Sequence, residues 1–486
     1  MSGDLDFTSA DVPTAAPSVA SLQQAEASLV TTLPEGGVGF ENMKNHILKD
    51  IAVGFAGASR SPNFYADTTG NLTDAALFAD WLVSTTDQNV QVHLPRETVA
   101  TTLEATALRS LRLLQQLLSV NETTFPGRIF TTGAAASNLL GIAMGREFVV
   151  AEAGRRNSPP SHTSVAELGL LEACLQAGVQ SIQIITTRPH SSLYKAVSAA
   201  GIGRDSVLLV PLSEDEPWKF DMNVLTQHLS REEAKTIIVV SAAEAVSGRF
   251  MSQAEMARIR SLADKYGAWV HVDGAVGLQA LILPHTKEYA ALNDGVSGFH
   301  LADSIAGDAH ELLNVPHDCG FFFTRHLELQ QIVFRNPGAA YLSTATLSIP
   351  SPLNLGLENS RRFRALPVYA SLLACGRIWY CTLLERRIAL ARRIASYIIN
   401  STVYQLLPNN DLDTIYTVVL FRARSDSSNM KLISLLDPLN SKQIHISGLL
   451  WKGQAAARIA VSSSYVEVDR DFDIIVNALE SASITV

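Results

Sequence analysis

Cysteine is scarce in this 486-residue chain. The four present (Cys174, Cys319, Cys375, Cys381) are scattered with no C-x-x-C pair, which argues against a disulfide framework or a cysteine-ligated zinc site and suits a reducing compartment. Long apolar runs are missing too. The most apolar stretches, such as Thr236 to Val240, are strand-length and far short of a bilayer span. The first twenty residues, MSGDLDFTSADVPTAAPSVA, lack the basic start and apolar centre of a secretory signal. No Lys/Arg cluster stands out against a net charge of −9, so neither nucleic acid nor an anionic membrane is an expected partner. The expectation is a cytoplasmic protein acting on a small molecule.

What is present is ordinary globular material. Hydrophobic residues make up 47% and charged residues 17% of the chain, enough for two or three domains with at least one large core. Residues 1–35, acidic and rich in Pro, Ser and Ala at their start, read as a flexible lead-in. Residues 36–120 read as a helical arm, with helices over 40–53, 73–86 and 96–118; in the last, Leu103, Ala107, Leu111 and Leu114 or Leu118 share one face. From about 125 short apolar strands (181–187, 206–211, 236–241, 269–273, 319–324) alternate with amphipathic stretches (165–177, 221–234, 252–266). That is the signature of a mostly parallel, doubly wound sheet covered on both faces, with its ligand at the strands' carboxyl ends. This large α/β domain is assigned to 121–358. Residues 359–486 are read as a linking helix over 360–400, kinked or divided at Pro367, and a small α+β domain with strands near 415–422, 443–450 and 458–462 and helices near 429–435 and 471–481.

One stretch organises the rest: Leu301 to Gly320, LADSIAGDAHELLNVPHDCG. It resembles the cofactor-lysine segment of the pyridoxal-phosphate (PLP) group II decarboxylases, roughly D-S-x-x-x-D-x-H-K-x-x-x-V-P. Asp303, Ser304, Asp308, His310, Val315 and Pro316 fall in place; the lysine that carries the cofactor is replaced by Glu311. Three further segments in order support the likeness. Trp269–Gly277 (WVHVDGAVG) matches the strand-end motif whose aspartate, here Asp273, pairs with the pyridine nitrogen in that family. Pro189–Ala196 (PHSSLYKA) resembles the segment whose histidine, here His190, stacks on the ring. Thr131–Gly141 (TTGAAASNLLG) resembles the phosphate turn at a helix N-terminus, with Thr132, Gly133 and Ala135 at the anion and Gly133 permitting the turn. Ala135 stands where a hydroxyl is usual. In Ser241–Phe250 (SAAEAVSGRF), which resembles a G-E-V-N-T-G loop, Ala243 and Val246 replace the glycine and asparagine. Tyr341 falls where many members carry a mobile-loop tyrosine, and the arginines of SRRFRAL (360–366) read as structural braces.

The resemblance implies a type I PLP-enzyme (aspartate aminotransferase-like) fold, a homodimer with interfacial active sites, and PLP as cofactor, with Asp273, His190, Thr132, Gly133, Ala135, Ser304 and His310 around it. It implies a carbon–carbon lyase acting on an amino acid or a derivative. Glu311 can form no imine and brings negative charge toward a phosphate; at about 6 Å and an effective dielectric of about 20 that repulsion is roughly 3 kcal/mol. Three readings follow: a repurposed lyase or PLP-independent acid/base enzyme using Glu311 with His190 and Tyr341; a decarboxylase of unusual mechanism; and a non-catalytic paralogue that binds a ligand or an active relative. No metal is expected. A desolvated carboxyl near Asp273 is expected to titrate near neutrality.

Overall fold

The computed structural model describes residues 16–58, 61, 63–68, 70–114, 124–337, 349–425 and 444–484. The stretch read as a flexible lead-in contains a helix, α1 (Val19–Ser28), capped by the Ser18 hydroxyl accepting from the Ser21 amide. The helix expected over 40–53 is α2 (Phe40–His46), which widens into a π turn at Ile47–Ile51 and ends in a 3-10 turn at Ala52–Gly54. A two-residue strand, β1 (Phe64–Tyr65), precedes α3 (Asp74–Thr86), whose N-cap is the Thr73 hydroxyl. In α4 (Ala100–Leu114) the predicted face is real: Ala107 and Leu111 are fully buried and Leu103 packs on the same cluster.

The large sheet starts with β2 (Gly127–Thr131), followed by the 23-residue α5 (Ala134–Arg156). The amphipathic stretch 165–177 is two helices, α6 (Val165–Leu168) and α7 (Leu170–Ala177), because Gly169 between them takes a left-handed φ of +81°. Then come β3 (Ser181–Thr186), α8 (Ser192–Ala199), β4 (Val207–Leu209), α9 (Met222–Leu229) and β5 (Ala234–Ser241). Next is α10 (Gln253–Tyr266), opened by a Ser252/Glu255 capping box. It is followed by β6 (Trp269–Asp273), α11 (Ala290–Ser297), β7 (Ser304–Asp308), α12 (Ala309–Leu312), β8 (Gly320–Thr324) and α13 (Leu327–Phe334). Strand order is β2-β8-β7-β6-β5-β3-β4, with β3 to β7 parallel and β8 antiparallel to both its neighbours.

The long α14 (Ala365–Asn400) breaks at Gly376 (φ 67°, ψ 172°), not at Pro367. Pro367 sits in the helix's first turn, where its missing N–H would be unpaired anyway. The small sheet gathers β9 (Tyr404–Leu407), β10 (Val418–Ala423), β11 (His445–Trp451) and β12 (Gln454–Ala460) in the order β1-β11-β12-β10-β9, and α15 (Val468–Ile484) closes the chain. The helix expected near 429–435 lies outside the described residues. Its edge strand β1 comes from the N-terminal arm and pairs in parallel with His445 and Ile446. Two arginines tie the layers. Arg361 donates to Glu104 (3.1 Å) and to the Val90 and Phe130 carbonyls, so the SRRFRAL segment does brace the arm against β2. Arg387 donates to Ser463 O, Gln279 Oε1 and Asn314 Oδ1 across both sheets' loops.

Candidate active site

The carboxyl ends of β3, β5, β6 and β7 and the first turn of α5 open onto one cavity of about 290 Å³, lined among others by Asp67, Thr68, Ala134, Ala135, His190, Ala243, Asp273, Asp308, Glu311 and Arg458. Segments separated by up to nearly 400 residues thus meet at one place, as open α/β sheets dictate.

Glu311 is on the floor. It projects from α12, directly after β7, and its Oε2 accepts a 2.8 Å bond from the Thr68 hydroxyl. Among the described residues no arginine or lysine forms an ion pair with it. Burial, then the Asp308 carboxylate, lift its pKa to about 7; Thr68 and His310 pull the other way, and Asp273 adds a smaller push upward. Asp308 rather than Asp273 is the principal charged neighbour.

Asp308 joins two elements. Its Oδ2 accepts from the Ala134 amide at the start of α5 (3.1 Å), and its Oδ1 lies 2.8 Å from His310 Nδ1. His310 Nδ1 is also 3.0 Å from the Cys319 carbonyl oxygen, and the ring lies against His317, tilted by 38° with centroids 4.2 Å apart. Burial disfavours the charged imidazole, but the Asp308 contact outweighs it and the His310 pKa is raised. Asp308, His310 and Glu311 bring three ligand-type atoms within 4.8 Å. Within this trio Asp308 and His310 form the ion pair, and Glu311 stands beside them without one.

Asp273 ends β6, buried, with Oδ2 accepting from Asn138 Nδ2 (2.9 Å) and Oδ1 from the Ala275 amide (3.3 Å). Burial raises its pKa against these bonds. His190 is exposed at the rim, its Nδ1 2.8 Å from the Ser192 hydroxyl. Arg458 projects from β12, held by the carbonyls of Ala66 and Ala245 and the Ser447 hydroxyl. Its burial lowers its pKa against the pull of Asp67, Glu311 and Glu244.

Several expected residues sit differently. Ser304 does not reach the cavity; it is fully buried one layer below, bonded to His271 and Trp269. Thr132 is exposed and does not line the cavity. Gly133 has φ 162°, extended backbone open to any residue, and a Cβ there would meet His310 only at 3.5 Å, so the turn does not demand glycine. Ala135 does line the cavity and brings no hydroxyl. Tyr341 lies outside the described residues. Ala243 has φ +61°, a left-handed conformation costing a non-glycine residue on the order of 1 kcal/mol; the glycine usual in the resembling loop has a backbone reason, and alanine here carries that strain. Sequence reasoning missed Thr68, Asn138 and Arg458. A lone arginine in the apolar run AAARIAV was the readable signal for Arg458, and an amide facing the sheet one turn into α5 for Asn138; Thr68 carried none.

Comparison with known proteins fits this architecture. The family model described as "Pyridoxal-dependent decarboxylase conserved domain" matches residues 26–424. The chain belongs to that family. It is 28% identical over 315 residues to an L-2,4-diaminobutyrate decarboxylase of Acinetobacter baumannii, covering 64% of this chain and 58% of that protein. It is 22% identical over 451 residues to an aromatic-L-amino-acid decarboxylase of Catharanthus roseus, covering 90% and 83%. The chain therefore spans under two thirds of the first of these relatives. Oryza sativa TDC, solved with PLP and tryptamine, superposes with a TM-score of 0.77 at 19% identity over 97% of this chain and 93% of that one. The fold is the type I PLP-enzyme fold.

Family membership implies PLP, and the cavity answers only part of it. Asp273 is placed for a cationic ring nitrogen. Among the described residues no lysine lines the cavity to form an imine: Glu311 is on its wall, and Lys195 is exposed on α8. At the α5 end the Ala134 amide is taken by Asp308, and Ala135 offers no hydroxyl. The residues present do not fit covalently held PLP.

Proposed function

We propose that this chain binds an amino acid or a close derivative in the 290 Å³ cavity and acts on it by proton transfer through Glu311, as a repurposed member of its lyase family that needs no imine to the protein. The observation that carries this reading is Glu311 itself: a largely buried carboxyl, in no ion pair with an arginine or lysine among the described residues, with a pKa lifted to about 7. At neutral pH such a group is present in both forms, so the carboxylate can take a proton from the ligand and the acid can return it. Thr68 fixes one oxygen, leaving the other for the ligand. Arg458 offers a guanidinium for a ligand carboxylate, and Asp273 an acceptor for a cationic nitrogen; the pair complements a zwitterion. His190 at the rim is a second proton-exchanging group in reach of solvent.

A homodimer belongs to the same proposal. The arm bearing α1 and α2 turns Leu33 (91% exposed), Phe40 (69%) and Phe55 (65%) outward, an apolar surface of the kind a second copy covers. No helix among the described residues is long and apolar enough to cross a membrane. The test is incubation with a panel of amino acids in D₂O, without PLP, followed by proton NMR. Deuterium incorporation or product formation that falls about 100-fold or more in Glu311→Gln is expected; equal turnover by the folded variant refutes the assignment.

A further inference from the structure

Beneath the cavity lies a row of buried polar groups that acid/base chemistry at Glu311 does not use. Trp269 Nε1 lies 3.1 Å from Ser304 Oγ, Ser304 Oγ 2.8 Å from His271 Nδ1, His271 Nε2 2.9 Å from Asn138 Oδ1, and Asn138 Nδ2 2.9 Å from Asp273 Oδ2. Four of the five are at most fractionally exposed: Trp269, His271, Ser304 and Asn138 are all at 0%. The Asp273 end fixes the direction. An indole N–H can only donate, and a carboxylate can only accept. From Asp273 backward, Asn138 must present its NH₂, so its carbonyl accepts from His271, which must carry its proton on Nε2. At the Trp269 end the Ser304 oxygen accepts the indole N–H and is free to donate its own proton to the bare His271 Nδ1. The Asp273 end sets the neutral tautomer, and the Trp269 end is compatible with it. Burial agrees, pushing the His271 pKa down to about 3. Helix α5 leaves room for the ring only because residue 141 is glycine: a Cβ there would sit 2.4 Å from His271 Cε1.

We infer that Trp269, Ser304, His271 and Asn138 form a one-way relay of hydrogen bonds that positions Asp273 and keeps it ionised at the cavity wall. The last bond is the decisive one, because burial works to neutralise this carboxyl and a donor aimed at the charged form opposes that. These four are positioning residues; only Asp273 faces the ligand. The consequence is chemical: an acceptor held charged and fixed at this corner selects a ligand with a cationic nitrogen there. The relay itself is independent of the proposed function, and only the ligand consequence rests on it.

The test needs no substrate. In ¹⁵N-histidine-labelled full-length protein, His271, assigned by its loss in His271→Gln, is expected as the neutral Nε2–H tautomer throughout pH 5 to 8. In ¹³C-carboxyl-aspartate-labelled protein, Asp273 is followed through its titration in wild type, Asn138→Leu and Ser304→Ala. The other titrating groups facing Asp273 are His190 ahead of α8, Asp308 on β7 and Glu311 on α12, and all three are unchanged in these variants. Asn138→Leu is expected to raise the proton affinity of Asp273 roughly tenfold or more, and Ser304→Ala to raise it by less, in the same direction. An Nδ1–H or charged His271 in wild type overturns the relay, as does an Asp273 titration unmoved in folded Asn138→Leu. Should Asn138→Leu not fold, Ser304→Ala decides: an upward move supports the relay, and none refutes it.

Discussion

Replacing Glu311 by glutamine should stabilise the protein at high pH and leave it unchanged at low pH. A glutamate whose pKa moves from 4.5 to about 7 on folding binds its proton more tightly folded than unfolded. Below pH 4.5 both states carry the proton and there is no cost. Between pH 4.5 and 7 the unfolded chain releases it first, so stability falls as pH rises; above 7 the loss is complete. At about 1.4 kcal/mol per pH unit the full loss is roughly 3 kcal/mol. Glutamine keeps the shape and an oxygen for Thr68 but cannot ionise. Unfolding followed by calorimetry or circular dichroism should therefore give wild type and Glu311→Gln equal Tm at pH 4.5, and at pH 8 a variant higher by roughly 3 °C, the shift appropriate to a chain of this size. A difference that does not grow between pH 4.5 and 7, or one that favours wild type at pH 8, would mean that Glu311 is solvated or charge-paired and that the reasoning about its environment is wrong.

Two other outcomes are expected. Light scattering at micromolar concentration should give a mass near twice 52.5 kDa, and trimming the chain before residue 59 should shift it toward monomer, since the arm carries the exposed apolar surface; a full-length monomer refutes the dimer. Arg361→Ala leaves Glu104 buried without its partner and should cost roughly 3–5 kcal/mol in denaturant unfolding, partly recovered by adding Glu104→Leu; an effect below about 1 kcal/mol would make the brace incidental.

The large sheet was legible because β3, β5 and β6 are short, mostly apolar and β-branched runs, as strands buried on both faces tend to be. Two of its strands escaped notice for physical reasons. β7 (SIAGD) is short and small in side chain, because Phe321 fills the space above Gly307, and β2 (GRIFT) begins with a glycine and an arginine. The break at Gly376 was masked by Pro367, the stronger signal in sequence but harmless in a first helical turn. β1 could not be read at all: two residues become a strand only because β11, some 380 positions later, supplies the partner. In the site, Asp273 was singled out by the Trp269–Gly277 segment, and Asp308 and Glu311 by Leu301–Gly320. Ser304 stood in the Leu301–Gly320 segment and proved to be a layer deeper, since it opens β7 whereas Asp308, on the same face four residues on, sits at the carboxyl end that meets the cavity. Thr68 reaches the cavity from the arm with no local pattern to report it, and Arg458 reaches it from the small sheet with only its lone charge in an apolar run as a mark.

The most direct measurement is borohydride reduction of the protein incubated with PLP, followed by mass spectrometry of the peptides. On the proposed reading of Glu311, the peptide spanning Asp308 to Pro316 should appear unmodified, no stoichiometric pyridoxyl group should appear on any lysine, and activity on the amino-acid panel should be the same with and without PLP. A stoichiometric pyridoxyl adduct, on Lys195 for instance, together with activity that requires PLP, would contradict the account.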